Sequence, residues 1–252
     1  MMGAPFIMVA PNGARRGKAD HPALPITTPE IVATAQACFA AGADAMHLHI
    51  RDDQGNHSID AGRYAEVLTE LAAQVPDLAV QITTEAAGIF DVPAQFNCLR
   101  DLRPDWASIS VREIARAPEL AAKIYATCAD QGTKVQHILY GLDDIDLLRE
   151  WQGNGTVSAD QTDVLFVLGR YTTGQVSSPA DLDPFLDAMR DAKNWMICAF
   201  GAQEHECLAY AAKRGGALRV GFENSLTDAQ NHPHLDNAAS IKALRALLKK
   251  EL

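Results

Sequence analysis

The chain lacks the marks of several protein classes. No stretch approaches the ~18 consecutive apolar residues of a membrane-spanning helix, so no membrane partner is expected. There is no linker-like, low-complexity or repeated segment, and residues 1–252 read as one domain. Positive charge is scarce: 22 Lys and Arg stand against 32 Asp and Glu, a formal net charge of −10. Such a surface suits neither nucleic acid nor anionic lipid, and an anionic substrate would need a local basic site working against the global field. The five cysteines (Cys38, Cys98, Cys128, Cys198 and Cys207) are odd in number and show no CxxC spacing. A reducing, cytoplasmic setting with the thiols as buried small hydrophobes is expected. The N-terminus runs straight into a short apolar strand and Pro11-Asn12-Gly13, so no signal peptide is expected.

What is present is a regular alternation. Apolar runs over 5–10, 44–50, 78–84, 106–111, 133–140, 163–168, 195–200 and 217–223 predict strands. Helices are predicted after each, over 29–41, 61–74, 93–102, 118–131, 143–151, 179–190, 202–214 and 235–251. Thr28-Pro29-Glu30 and Ser178-Pro179-Ala180-Asp181 offer helix starts, and Asp60 offers a cap. Gly42, Gly132 and Gly215-Gly216 sit where helices should stop. Eight alternating strand–helix units imply parallel pairing, and their number favours closure into an α/β fold of the (β/α)8 TIM-barrel type, which needs ~250 residues.

In such barrels the chemistry sits at the C-terminal strand ends. Side chains alternate along a strand. In the second strand Met46, Leu48 and Ile50 form the helix-facing set, which leaves His47, His49 and Arg51 pointing inward. In the eighth, Leu218, Val220 and Phe222 face the helices, which leaves Arg219, Gly221 and Glu223 inward. The same parity sends Gln81, Thr83 and Glu85 inward from the third strand, and Ser108, Ser110 and Arg112 from the fourth. Only the first strand separates the second from the eighth in a closed barrel. Two imidazoles at i, i+2 with a carboxylate nearby make a three-ligand set with an open position, the composition of catalytic rather than closed structural zinc sites. The alternative is that His47 and His49 are barrel-core histidines hydrogen-bonded to strand neighbours.

The runs His47-Leu48-His49-Ile50-Arg51-Asp52 and Gly215-Gly216-Ala217-Leu218-Arg219-Val220-Gly221-Phe222-Glu223-Asn224 together resemble the β-keto acid cleavage enzymes, the family of the 3-keto-5-aminohexanoate cleavage enzyme. Supporting segments are Pro25-Ile26-Thr27-Thr28-Pro29-Glu30-Ile31, Ala41-Gly42-Ala43, Ile82-Thr83-Thr84 and Pro104-Asp105-Trp106-Ala107-Ser108, in the same order along essentially the whole chain. The resemblance implies a zinc-dependent barrel with one Zn2+ per chain that takes a β-keto acid and acetyl-CoA and returns acetoacetate and a new acyl-CoA. It implies His47, His49 and Glu223 as metal ligands and Arg219 as the arginine that anchors substrate and orients the base. It places Thr83, Thr84 and Ser108 around the substrate carboxylate, and it implies a homotetramer. The metal would act as a Lewis acid on the ketone and stabilise the enolate-like charge that develops during cleavage.

The chain departs from that pattern at the catalytic and thioester-binding parts. The resembled family follows the metal glutamate with an aspartate that serves as base, whereas here the residue is Asn224, whose amide takes up no proton at neutral pH. An acidic fifth-strand motif is replaced by Val135-Gln136-His137-Ile138-Leu139-Tyr140. Glu85 stands where a glycine is usual, and the segment after the seventh strand reads Phe200-Gly201-Ala202-Gln203-Glu204. Three readings follow: a divergent cleavage enzyme with a relocated base, for which Glu85 is the candidate; another metal-assisted reaction on a small oxo acid, such as hydrolysis or aldol cleavage; and a metal-bearing binding protein without catalysis.

Other features are weighed on the same terms. The basic residues of Asn12–His21 could meet a carboxylate or CoA phosphates or form a solvated loop, and Arg170 after the sixth strand is a further anion-binding candidate. His205-Glu206-Cys207 is expected on a helix, where side chains at i, i+2 diverge. His232 and His234 are expected at the surface, and His57 is ambiguous.

Overall fold

Eight parallel strands close on themselves in the order β1-β10-β9-β8-β7-β6-β5-β2, with helices between them, in a computed structural model that describes residues 4–252. The elements run β1 (Ile7–Val9), α1 (Thr28–Ala40), β2 (Ala45–Leu48), β3 (Ile50–Arg51), β4 (His57–Ser58), α2 (Ala61–Gln74), β5 (Ala79–Thr83), α3 (Val92–Leu102) and β6 (Trp106–Ser110). They continue with α4 (Val111–Ile114), α5 (Pro118–Gln131), β7 (Lys134–Leu139), α6 (Leu142–Gly153), β8 (Asp163–Leu168) and a 3-10 turn (Pro179–Leu182). The last are α7 (Asp183–Ala188), β9 (Trp195–Ala199), α8 (Glu204–Ala212), β10 (Ala217–Val220) and α9 (Asn237–Glu251). The fold is therefore the expected (β/α)8 barrel.

The alternation read along the strands separates two cores. Met46, Leu48, Ile50, Leu218 and Val220 belong to the shell between barrel and helices. Met8, Ala45, Ile138, Leu165, Val167, Met196, Cys198 and Phe200 fill the barrel interior. Pairing of β1 with both β2 and β10 sets Met8 beside Ala45 and Arg219, so the second and eighth barrel strands flank the first as expected. All five cysteines are buried and free. Burial pushes the thiols of Cys38, Cys98, Cys128 and Cys198 up to about 12. Among the described residues no helix is long and apolar enough to cross a membrane.

The differences from the sequence reading have local causes. The first helix is capped one residue earlier than expected, at Thr27, because Glu30 Oε2 accepts from the backbone N–H groups of Ile26 and Thr27 at 2.9 and 3.0 Å. Asp60 caps α2 as expected, accepting from Arg63 N at 2.9 Å. The helix expected over 179–190 is a 3-10 turn followed by the short α7. The second barrel strand stops at Leu48, because Ile50–Arg51 turns away to pair with His57–Ser58 in a two-stranded hairpin. The eighth stops at Val220. Gly221 has φ +139°, and a Cβ there would stand 2.6 Å from Ala10 O, so only glycine permits this turn.

Candidate metal centre and substrate site

The second and eighth barrel strands deliver three metal-binding side chains to one point. His47 and His49 are fully buried at the end of β2. Glu223 arrives from the turn after β10, fixed by its N–H to Ala10 O at 3.0 Å. His47 Nε2 and His49 Nε2 stand 3.2 Å apart, and Glu223 Oε1 is 3.4 Å from His49 Nε2. Glu223 Oε2 is 3.8 Å from His47 Nε2. Two donors 2.0–2.1 Å from a tetrahedral zinc lie about 3.3–3.4 Å apart, so this spacing fits one ion. Among the described residues it is the one group of three such side chains close enough to share a cation.

Protonation supports the fit. His47 Nδ1 lies 2.8 Å from Gln81 Oε1, while Gln81 Nε2 donates to Gln136 Oε1 at 3.1 Å. The Gln81 oxygen therefore accepts, Nδ1 carries the hydrogen, and Nε2 keeps a free lone pair toward His49 and Glu223. Burial, reinforced by the Arg219 charge, holds His47 well below its ordinary value, so the ring is neutral. Burial pushes the Glu223 carboxyl up, but Arg219 and the two imidazoles outweigh it and hold the group well below the usual carboxylate range. Neutral imidazoles and an anionic carboxylate are the forms that ligate. The loop after β1 closes over the cluster. Gly13 comes so near that a Cβ would sit 2.7 Å from Glu223 Cγ, and Asn12 Nδ2 donates to His49 O at 3.2 Å.

Arg219 lies inside the barrel, 4% exposed, and donates Nη2 to Glu223 Oε2 at 2.9 Å. Its Nε and Nη1 are buried without a partner in the protein. Buried donors are rarely left unpaired, so two free guanidinium N–H groups beside the cluster mark a place for an anionic group. Glu85 stands at the rim, 3.9 Å from His49 Nε2 and 3.6 Å from Arg170 Nη2. Arg170 also lies over the Phe200 ring, 5.1 Å from its centroid. Ser108 is buried at the register of Thr83 with an unpartnered hydroxyl. Thr83 Oγ1 accepts from Glu85 N at 3.0 Å, and the Thr84 hydroxyl donates to Ser108 O at 3.4 Å. Asn224 is fully buried, with its amide nitrogen on Glu204 and on Arg219 O.

Arg51 is buried beyond the strand break, and its guanidinium donates to the backbone carbonyls of Gly13, Arg16 and Ile50 and so holds the β1 loop. Arg112 leaves the rim on the short α4 and pairs with Asp144 at 2.6 and 2.8 Å. Lys18 is paired with Glu30 at 2.7 Å, and Arg16 donates to Phe222 O. His205 and Cys207 diverge as expected, toward Ser240 and Ser177. His232 is exposed, whereas His234 is half-buried with its ring 5.1 Å from that of His205. Residues without a role in the sequence reading also back the site. His57 packs 5.2 Å from the His49 ring and holds Glu85 O at 2.8 Å; burial pushes it down to about 3. A surface cavity of about 750 Å3 lies elsewhere, at the N-terminal strand ends between Phe6, Gly216 and Leu248.

Comparison with known proteins shows the family and the fold. The family described as beta-keto acid cleavage enzyme (BKACE) matches residues 5–251. The chain is 27% identical over 235 residues to a 3-keto-5-aminohexanoate cleavage enzyme of Fusobacterium nucleatum, covering 90% of this chain and 84% of that protein. It is 27% identical over 260 residues to a 3-oxoadipate:acetyl-CoA acetyltransferase of Cupriavidus necator, covering 97% and 88%. Among solved structures, ObcA bound to oxaloacetate superposes with a TM-score of 0.73 at 16% identity. That match covers 91% of this chain but spans only 64% of the ObcA chain, and it speaks for the fold.

Proposed function

The chain belongs to the β-keto acid cleavage enzyme family, and from that premise we propose that it cleaves the C–C bond of a small anionic β-keto acid with acetyl-CoA, giving acetoacetate and a new acyl-CoA. The observation that carries this reading is the His47–His49–Glu223 cluster with the two unpaired Arg219 donors beside it. The names of the relatives point the same way, since they act on 3-keto-5-aminohexanoate and 3-oxoadipate.

His47, His49 and Glu223 would hold one zinc ion, which would supply Lewis-acid polarisation of the substrate ketone. Arg219 offers an unpaired N–H, on Nε or on Nη1, to the substrate carboxylate while Nη2 stays on Glu223. The balance of the reaction then needs a proton removed from C2, a bond from C2 to the acetyl carbon, and release of the CoA thiolate. Return of the thiolate to the original ketone carbon breaks the old C2–C3 bond, and the proton taken from C2 goes back to the acetoacetate enolate, which completes the exchange. Glu85 is the carboxylate placed to take the C2 proton, with Arg170 as its counter-charge. Ser108 offers an unpaired hydroxyl to the substrate, with Thr83 and Thr84 as its neighbours on the adjoining strand. The working assembly in this reading is a cytoplasmic homotetramer.

Asn224 favours a second reading, a metal-assisted hydrolysis or aldol cleavage of an oxo acid that needs no thioester. One experiment separates the two. Zinc-loaded protein is offered a panel of β-keto acids with and without acetyl-CoA, and acetoacetate and acyl-CoA are measured. Turnover that requires acetyl-CoA upholds the first reading. Cleavage that proceeds without it replaces the first with the second, and bound zinc without any turnover removes both.

A further inference from the structure

One buried carboxyl has no part in the chemistry above. Glu204 opens α8 and is 1% exposed. Its Oε1 accepts from Gly221 N and from Asn224 Nδ2, both at 3.0 Å. The same Asn224 nitrogen donates to Arg219 O at 3.1 Å. A carboxylate oxygen and a backbone carbonyl both demand a donor, so the amide cannot be turned over without setting oxygen against oxygen. The planar amide is thereby fixed, and its Oδ1 is buried with no partner. Glu204 Oε2 and the Arg219 Nε and Nη1 atoms are in the same condition. So many unpaired buried atoms around one turn mark a site that completes its hydrogen bonds with what it binds.

We propose that Glu204 is a positioning residue of the reaction site: through Oε1 it sets the Asn224 amide so that Asn224 Oδ1 accepts a hydrogen bond from the reacting ligand. The acid and the amide are thus a matched pair. The groups that face Glu204 are Arg16 from the β1 loop, Glu223 and Asn224 from the turn after β10, and His205 on its own helix, whose Nε2 is 3.9 Å from Oε2. Burial pushes the carboxyl up to about 8, against the lowering effect of the Asn224 and Gly221 hydrogen bonds and of Arg16. The group changes charge near neutrality. Between the ordinary carboxylate value and about 8 the folded chain holds a proton that the unfolded chain has lost. This contribution to stability is present at low pH and is lost as pH rises through that window.

The role in turnover rests on the proposed cleavage reaction; the pairing does not, and the test keeps them apart. Full-length zinc-loaded Glu204→Gln, Asn224→Asp and the double variant are compared with the unaltered protein. The readouts are zinc content, melting temperature from pH 5 to 9, and kcat and KM against pH. Glu204→Gln is expected to keep zinc and to lose the fall of melting temperature between pH 5 and 8. Its kcat should drop by roughly 10²-fold with little change in KM, the scale of a lost orientation, and its pH profile should lose the limb near 8. Asn224→Asp sets a second carboxyl against Glu204 and should lower the melting temperature; the double variant should restore it. A wild-type slope and pH profile in Glu204→Gln, or no restoration in the double variant, overturns the proposal. Should Glu204→Gln alone fail to fold, a folded double variant upholds the pairing and an unfolded one overturns it. If no acid is cleaved with acetyl-CoA by the unaltered protein, the proposed reaction fails while the melting data still decide the pairing.

Discussion

Gln81 is the residue whose replacement tests the metal centre most directly without touching a ligand. It is fully buried, accepts from His47 Nδ1 at 2.8 Å and donates to Gln136 Oε1 at 3.1 Å. Gln81→Leu removes both bonds while keeping most of the volume. The His47 ring is then free to place its hydrogen on Nε2 and to rotate off axis. Loss of such an outer partner typically costs 10–100-fold in metal affinity, about 1.4–2.7 kcal/mol. The stabilisation by zinc at fixed free metal falls by the same amount, because it depends on the logarithm of the affinity. In the metal-free protein the unpaired Nδ1–H and Gln136 oxygen cost a further ~1–3 kcal/mol each. A competition titration against a chromophoric chelator gives the affinity, and melting curves with and without zinc give the linked stability. Gln81→Glu, which keeps an acceptor, should retain most of the affinity. A folded Gln81→Leu protein that binds zinc as tightly as the unaltered one would refute the reasoning, because His47 could then not be a ligand poised by Gln81.

His47→Ala combined with His49→Ala should abolish stoichiometric zinc while circular dichroism still reports a folded barrel; full occupancy would sink the ligand assignment. Arg219→Met should weaken binding of a β-keto acid by roughly 10- to 150-fold, the ~1.5–3 kcal/mol of a charged hydrogen bond, with zinc retained; unchanged affinity in calorimetry would make Arg219 a purely structural partner of Glu223. Glu85→Gln should lower turnover by ~10²–10⁴-fold if it is the base, and near wild-type turnover would pass that role to another group. His137 is buried on Gln161 O at 3.0 Å and burial pushes it down to about 4, so it should destabilise the fold as pH falls from its ordinary value toward 4. Melting curves of His137→Gln should show a weaker acid dependence, and an unchanged slope would contradict the assignment.

Strand parity was enough to read the barrel and to separate its two cores. It placed Met46, Leu48 and Ile50 under the helices and His47 and His49 inside, because a two-residue period survives any uncertainty in strand ends. It did not contain the strand break, because the turn Asp52–Gly55 after Arg51 folds the chain back and pairs Ile50–Arg51 with His57–Ser58. Asp52 Oδ1 accepts from Gln54 and Asn56 there, and Gly55 takes φ +82°. An Asp-Asp-Gln-Gly run is a turn signal, so this break was legible in principle. Glu223 reached the site for a reason parity does not contain, since it leaves a turn rather than a strand. Glu204 was invisible as a site residue. An acid in a first helical turn has an ordinary reading as a partner of the helix dipole, and only its contact with Gly221 and Asn224 gives it another.

The departures from the family pattern are not scattered once folded. Asn224 and Glu204 lie 20 positions apart in sequence and meet in one hydrogen bond, while Glu85 faces Arg170 across the same mouth. A chain of net charge −10 thus surrounds its candidate metal centre with Arg16, Arg170 and Arg219 as well as Glu85, Glu204 and Glu223. Local pairing offsets the global field where the proposed anionic substrate would enter. It also makes each departure dependent on its partner. An aspartate at 224 would face a buried carboxyl, and a glycine at 85 would leave Arg170 without its nearest counter-charge. Exchange of one member alone is therefore expected to cost more than exchange of both, the coupling of neighbours that share one network.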